Sequence, residues 1–241
     1  MKTSEIVAVG AGAVVGAQLV MAAVRTSNSV LRPPGAKDEG DFLSKCIKCG
    51  KCIEACPYGA LHVTGDMIGS AVGTPTLDVR NQACRLCEDL PCIAACPTGA
   101  LCELDNRRDV RMGLAVINRD LCIAVKALRC EVCYRACPLI DEAIHIEYKM
   151  REGDAIHSVF EPVIDEDKCT GCGLCVERCV VDNPEIAIRI VRDRDEAKRL
   201  IAAEKDKVLE AYRLAETWGS NPDEYERKGG SGPRDMSKPQ A

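Results

Sequence analysis

Between residues 59 and 191 the chain alternates short apolar or β-branched stretches with loops rich in cysteine. Gly59-Ala-Leu-His-Val63, Thr76-Leu-Asp-Val79, Leu114-Ala-Val-Ile117, Ala143-Ile-His-Ile-Glu-Tyr148 and Ile186-Ala-Ile-Arg-Ile-Val191 each carry strand-like patterning. The pattern predicts a repeated small unit of a cysteine loop, a short helix begun by Cys-Pro and a strand, recurring at roughly 40 residues. The expected fold class is therefore α+β, built from tandem repeats.

Two segments depart from this rhythm. Ile6 to Val24 is an uncharged run of nineteen residues, and as a helix it would be about 28 Å long, near the thickness of a bilayer core. Nine of the nineteen are Gly or Ala and Gln18 lies inside, a composition that suits a cleaved signal, with Val20-Met21-Ala22 as its small-residue site, as well as a permanent anchor. Gly10, Gly12 and Gly16 miss the dinucleotide spacing, and no βαβ unit follows. Gly12 and Gly16 read either as a helix-packing face in a membrane or as small residues of a signal peptide. At the other end, Leu200, Ile201, Val208, Leu209, Tyr212, Ala215 and Trp218 recur on one broad face of an amphipathic helix from Asp195 to Trp218. The resulting division is 1–30 signal peptide or membrane anchor, 31–190 cysteine-rich domain, 191–218 C-terminal helix and 219–241 disordered tail, with Arg32-Pro33-Pro34-Gly35 unable to continue a helix.

The cysteines carry the chemistry. Cys46-x2-Cys49-x2-Cys52-x3-Cys56-Pro57 is the bacterial ferredoxin spacing, in which three thiolates wrap one [4Fe–4S] cubane and the fourth reaches a neighbouring cluster. Cys84-x2-Cys87-x4-Cys92-x3-Cys96-Pro97 widens the second gap, and Cys122-x7-Cys130-x2-Cys133-x3-Cys137-Pro138 widens the first. Cys169-x2-Cys172-x2-Cys175-x3-Cys179 repeats the first spacing, with Val180 in place of proline. Sixteen of the seventeen cysteines are thus candidate iron ligands of four [4Fe–4S] clusters, leaving Cys102, expected as a buried apolar side chain. Disulfides do not demand four in-phase quartets, and zinc sites separate two cysteine pairs by a longer insert, so both are weaker readings.

Composition agrees. Aromatic residues are 3% of the 241-residue chain, so clusters are expected to fill interior volume that side chains would otherwise occupy, and removing the iron is expected to unfold the protein. With 32 Lys+Arg against 37 Asp+Glu and no basic block interleaved with aromatics, nothing points to nucleic acid. No nucleophile–base pair, phosphate loop or flavin motif is present, which predicts an electron carrier without a substrate site of its own. His62, His145 and His157 are not spaced as ligands. Lys45, Lys48 and Lys51 around the first quartet either raise a cluster's potential, face an acidic redox partner, or are solvated loop lysines.

Beyond the cysteines, Leu31-Arg-Pro-Pro-Gly-Ala36, Arg111-Met-Gly-Leu-Ala-Val116, Leu128-Arg-Cys130, Cys133-Tyr-Arg135, Asp141-Glu-Ala-Ile144 and Cys169-Thr-Gly-Cys-Gly173 make the chain similar to the NapG/MauM-type ferredoxins over residues 31 to about 190. That resemblance implies a polyferredoxin at the periplasmic side of the cytoplasmic membrane. It would take electrons from a membrane quinol dehydrogenase, NapH-like, and pass them towards a cytochrome or a nitrate-reductase-type reductase. An iron–sulfur subunit of a molybdopterin oxidoreductase is the alternative, and the cytoplasmic face is the alternative location. Related four-cluster subunits imply that Cys179 completes the set of Cys46, Cys49 and Cys52, and that Cys137 completes the set of Cys84, Cys87 and Cys92. Export of a folded cluster protein needs a twin-arginine signal, so translation is expected to start upstream, with an Arg-Arg-x-Phe segment before Met1.

Overall fold

The computed structural model describes residues 30–65, 70–126, 128–151 and 154–219, with backbone alone at 150–151, 154–157 and 208–219. Ile6–Val24 and the tail past Gly219 lie outside these residues, and among the described ones no helix is long and apolar enough to cross a membrane.

Asp38 opens the first helix, α1 (Glu39–Lys45), by accepting the Asp41 N–H at 2.9 Å. Four helices of four or five residues follow, one inside each quartet: α2 (Lys51–Glu54), α3 (Pro91–Ala94), α4 (Val132–Ala136) and α5 (Leu174–Arg178). Each carries the third cysteine of its quartet, Cys52, Cys92, Cys133 or Cys175, and the fourth cysteine stands at or just past its C-cap. This corrects the expectation that Cys-Pro starts the helices. Proline disfavours helical backbone in the residue before it, and Cys137, extended at ψ 126°, shows how Cys-Pro ends the turn in the quartets that carry it.

Three antiparallel pairs frame these loops. β1 (Leu61–Val63) pairs with β2 (Pro75–Leu77) in the register Leu61 to Leu77. β4 (Ile144–Arg151) pairs with β5 (Asp154–Ile164) from Ile144 opposite Ile164, with a register shift at Met150/Arg151. Both hairpins join consecutive quartets. β3 (Leu114–Ile117) and β6 (Ile188–Val191) flank the third and fourth quartets and pair with each other, closing that half. In the first half the Cys102 N–H donates to the Gly35 carbonyl at 2.9 Å, bringing together the segments that flank the first two quartets. β5 is absent from the sequence reading because Pro162 interrupts its pattern; in a two-stranded ribbon the missing N–H is tolerated, since each strand is an edge.

The Leu31–Ala36 segment is fixed by a buried charge cluster. Arg32, 1% exposed, donates through Nε to Glu39 at 3.0 Å and through Nη1 to Thr74 Oγ1 at 2.7 Å and the Pro75 carbonyl at 2.9 Å. Its guanidinium lies 4.8 Å from the centre of the Phe42 ring. Arg192, after β6, also donates to Glu39 and reaches the Val30 carbonyl at 3.0 Å. One carboxylate thereby joins α1, β2 and the chain beyond β6.

The last helix, α6 (Arg194–Gly219), begins in this unit, where Lys198 pairs with Asp167 at 3.2 Å. Residues from Arg199 form a second unit, whose part of α6 carries a Lys207–Glu204 pair at 2.6 Å.

Removing Glu39 strands two guanidinium groups away from water. Glu39→Ala is expected to lower the stability of the cluster-loaded protein by about 3–5 kcal/mol, read as a drop in thermal midpoint; an unchanged midpoint would show the cluster to be dispensable.

Candidate cluster-binding sites

In the first, second and fourth quartets the first three cysteines lie on a tight loop and the short helix after it, as Cys130 and Cys133 do in the third. Residues in the left-handed region bend these loops: Lys48 at φ 59° and Leu86 at φ 54° occupy the same position, two after the first cysteine, that Gly171 occupies at φ 73°. For Lys48 and Leu86 the conformation costs about 1–2 kcal/mol each. Its return is a backbone concavity whose N–H groups turn inward, as at many iron–sulfur sites. The Leu86 N–H points to Cys84 Sγ at 3.5 Å, and the Ala60 N–H to Cys56 Sγ at 3.3 Å.

Each set of three thiols is completed by the fourth cysteine of the adjoining quartet. Cys56, Cys84, Cys87 and Cys92 line one cavity, walled by Leu61, Leu77 and Leu90. Cys133, Cys137, Cys169, Cys172 and Cys175 line another, with Leu139, Ile144 and Ile164 as apolar walls. Around Cys52, burial first and then the facing Cys46, Cys49 and Cys96 push the thiol up to about 11. Around Cys133, burial followed by Cys122, Cys130 and Cys179 pushes it up to about 12.

Completion of Cys46, Cys49 and Cys52 by Cys179, and of Cys84, Cys87 and Cys92 by Cys137, is therefore not what the fold does. Cys56 lines the cavity of the second set and Cys137 that of the fourth, while Cys96 lies near enough to act on Cys52 of the first set and Cys179 near enough to act on Cys122 and Cys133 of the third. The reason is chain connectivity. The β1–β2 and β4–β5 hairpins fold consecutive quartets onto each other, and closing such short connections costs less entropy than bringing distant quartets together.

Burial is the dominant cause at most of these thiols, raising Cys84, Cys92 and Cys172 to about 12 and Cys175 well beyond the usual thiol value. Such groups are neutral at neutral pH unless a metal takes the place of the proton. Cys96 is the exception: burial raises it, but the N–H groups of Leu101 and Thr98 and the Thr98 hydroxyl outweigh this and hold it below the ordinary value. Among the described residues no group of three or more His, Cys, Asp or Glu is placed to share a single metal ion. Four soft thiolates around an apolar cavity suit a multinuclear centre that takes one thiolate per iron.

The remaining candidates separate from this chemistry. Lys45 pairs with Asp41 at 2.7 Å, while Lys48 and Lys51 are exposed beside the first set. His62 is exposed, His145 lies 3.7 Å from Glu147, and the His157 side chain is outside the described ones. Cys102 is half-buried and not a core side chain, its thiol donating weakly to the Gly99 carbonyl at 3.8 Å. Two arginines that the sequence reading missed clamp ligand backbone. Arg80 donates to the carbonyls of Val176 at 2.9 Å and Cys179 at 3.0 Å, and Arg194 to those of Gly113 at 2.6 Å and Cys169 at 2.9 Å. Neither lies in a motif.

The model of the 4Fe-4S dicluster domain matches residues 45–100 and again 118–183, so each match takes in two consecutive quartets. The chain is 45% identical over 166 residues to "Ferredoxin-type protein NapG" of Escherichia coli (strain K12), covering 68% of this chain and 72% of that protein. It is 40% identical over 182 residues to "Methylamine utilization ferredoxin-type protein MauM" of Methylobacillus flagellatus, covering 75% of this chain and 76% of that one. "Ferredoxin-type protein NapF" of Escherichia coli (strain K12) is 27% identical over 158 residues, 65% of this chain and 84% of that protein. No solved structure matches.

The exchange of fourth cysteines makes a specific expectation. Cys56→Ser should remove or convert the centre held by Cys84, Cys87 and Cys92 and leave that of Cys46, Cys49 and Cys52 intact, and Cys96→Ser should do the reverse. Iron content and the electron paramagnetic resonance of the reduced variants read this out. Damage confined to the mutated residue's own quartet would contradict it.

Proposed function

Given that the chain belongs to the family of ferredoxin-type proteins represented by NapG and MauM, we propose that it relays single electrons through four [4Fe–4S] clusters. The donor in this reading is a membrane quinol-oxidising protein of the NapH kind, and the destination is a periplasmic reductase of the nitrate-reductase type, reached directly or through a cytochrome. The chain works at the outer face of the cytoplasmic membrane, held by the apolar run Ile6–Val24 or by its partner. What supports the relay reading above all is the arrangement of sixteen cysteines in four sets of three plus one, two of which surround apolar cavities.

A [4Fe–4S] cluster supplies reversible one-electron storage. The chain's own groups decide how well that works. Thiolates such as Cys84 and Cys172 hold iron in walls that exclude water, and the N–H groups of Ala60, Leu86 and Leu101 stabilise negative charge on sulfur. Lys48 and Lys51, exposed beside Cys49, favour the more negative reduced form of the first set and so raise its potential. Since no step transforms a substrate, the chain is a carrier and not an enzyme.

Anaerobically purified protein is expected to contain about sixteen irons per chain, four for each set, to absorb broadly in the visible and to bleach on reduction. It is also expected to co-purify with a membrane quinol-oxidising subunit. A reproducible iron count near eight would overturn the four-cluster reading, and tight co-purification with a molybdopterin catalytic subunit instead would overturn the assignment of its partner.

A further inference from the structure

We propose that the four thiolate sets stand in an unbranched line in the order first, second, fourth, third, so that the contact between Cys84 and Cys172 is the bridge over which electrons cross between the two dicluster halves. This rests on the four-cluster reading above and adds the route through it. Within each half the order follows from the exchanged cysteines. α2, which carries Cys52 of the first set, packs on α3, which carries Cys92 of the second, and Cys133 of the third set lines the same cavity as Cys175 of the fourth.

The crossing between halves is a separate observation. The Cys84 N–H donates to the Cys172 carbonyl at 3.1 Å, so a ligand of the second set is bonded through its own backbone to a ligand of the fourth. The Cys172 thiol is also near enough to be one of the causes, after burial, that push the Cys84 thiol up. Their neighbours tighten this joint. Glu177 accepts the Ala83 N–H at 2.7 Å and pairs with Arg85 at 2.9 Å. At Gly173, φ 86°, an added Cβ would lie 2.3 Å from Val79, so the fourth loop comes as near the second as the absence of a side chain permits. Arg80 does reach the Cys179 carbonyl of the third set, but through a long side chain that is not itself a ligand.

Burial separates ends from middle in the same way. The three buried ligand cysteines, Cys92, Cys169 and Cys172, all belong to the second and fourth sets, and the exposed one, Cys49, belongs to the first. Exposed apolar side chains sit next to ligands of the outer sets: Ile47, 64% exposed, beside Cys46, and Val180, 57% exposed, beside Cys179. A one-electron reductant at one end and a one-electron oxidant at the other balance the relay. Each step moves one electron from a reduced set to its oxidised neighbour, with no bond made or broken and no proton transferred.

The order is read from magnetic coupling in whole protein reduced photochemically with deazaflavin. A reduced centre with a reduced neighbour gives a broadened, interacting electron paramagnetic resonance spectrum, and one without gives a narrow isolated signal. Loss of the second set by Cys87→Ser with Cys92→Ser is expected to isolate the first, and loss of the fourth by Cys172→Ser with Cys175→Ser to isolate the third. Loss of the first set by Cys46→Ser with Cys49→Ser, or of the third by Cys122→Ser with Cys130→Ser, is expected to leave three interacting centres and no isolated signal. An isolated signal on loss of the third set, or none on loss of the fourth, would overturn the order. Should the variants of the middle sets fail to fold, the two end variants still decide, since an isolated signal in either contradicts the line. Iron content distinguishes the levels of failure: wild-type protein with too little iron defeats the four-cluster reading, whereas full iron with the wrong pattern of isolation defeats only the order.

Discussion

A thiol buried among apolar side chains cannot ionise unless something replaces its proton, and the rest of this structure depends on that constraint. Burial lifts Cys84, Cys92, Cys133 and Cys172 to about 12. These groups are poor thiolates in an empty fold and good ligands in an iron-loaded one, so metal binding is expected to stabilise the fold. Secondary structure is correspondingly slight. Helices of four or five residues and paired strands, two of them only three residues long, surround the thiol sets, and 3% of the chain is aromatic. The organic core is a thin wall around an inorganic one.

Much of this was legible in the cysteine spacing, because three thiolates within one short loop admit few other uses. Which fourth cysteine completes which set was not legible. Spacing says that Cys56 and Cys179 leave their own loops but not where they arrive; that is decided by hairpins, one of which contains a strand hidden by Pro162. The closing pair β3–β6 joins residues on either side of two quartets, a non-local contact that no local pattern announces. Arg32, Glu39 and Arg192 were equally silent, since a buried charge cluster assembled from residues 153 positions apart looks in sequence like three ordinary surface charges. The matched segment Leu31–Ala36 finds its explanation there, and Gly113 and Gly171 find theirs in each other: a Cβ on Gly171 would lie 2.5 Å from the Gly113 backbone.

The two halves are alike in plan and unequal in detail. The first closes through the backbone contact between Cys102 and Gly35, the second through the β3–β6 ladder, and its hairpin β4–β5 is far longer than β1–β2. What they share is the exchange of fourth cysteines, which ties the two thiol sets of each half together. Arg80, Glu177 and Arg85 then tie half to half at the second and fourth loops. An electron carrier needs short distances between centres more than it needs a large core, and the positions of these charges serve that need. They hold ligand backbones together without adding bulk between them.

The exchange of fourth cysteines is the central claim, and diffraction tests it most directly. Crystals of the protein grown without oxygen and measured at the iron absorption edge would locate each centre and its ligands. The account predicts anomalous density bounded by Cys46, Cys49, Cys52 and Cys96, with the equivalent set of Cys122, Cys130, Cys133 and Cys179 in the other half. Density joining Cys179 to Cys46, Cys49 and Cys52 would contradict it.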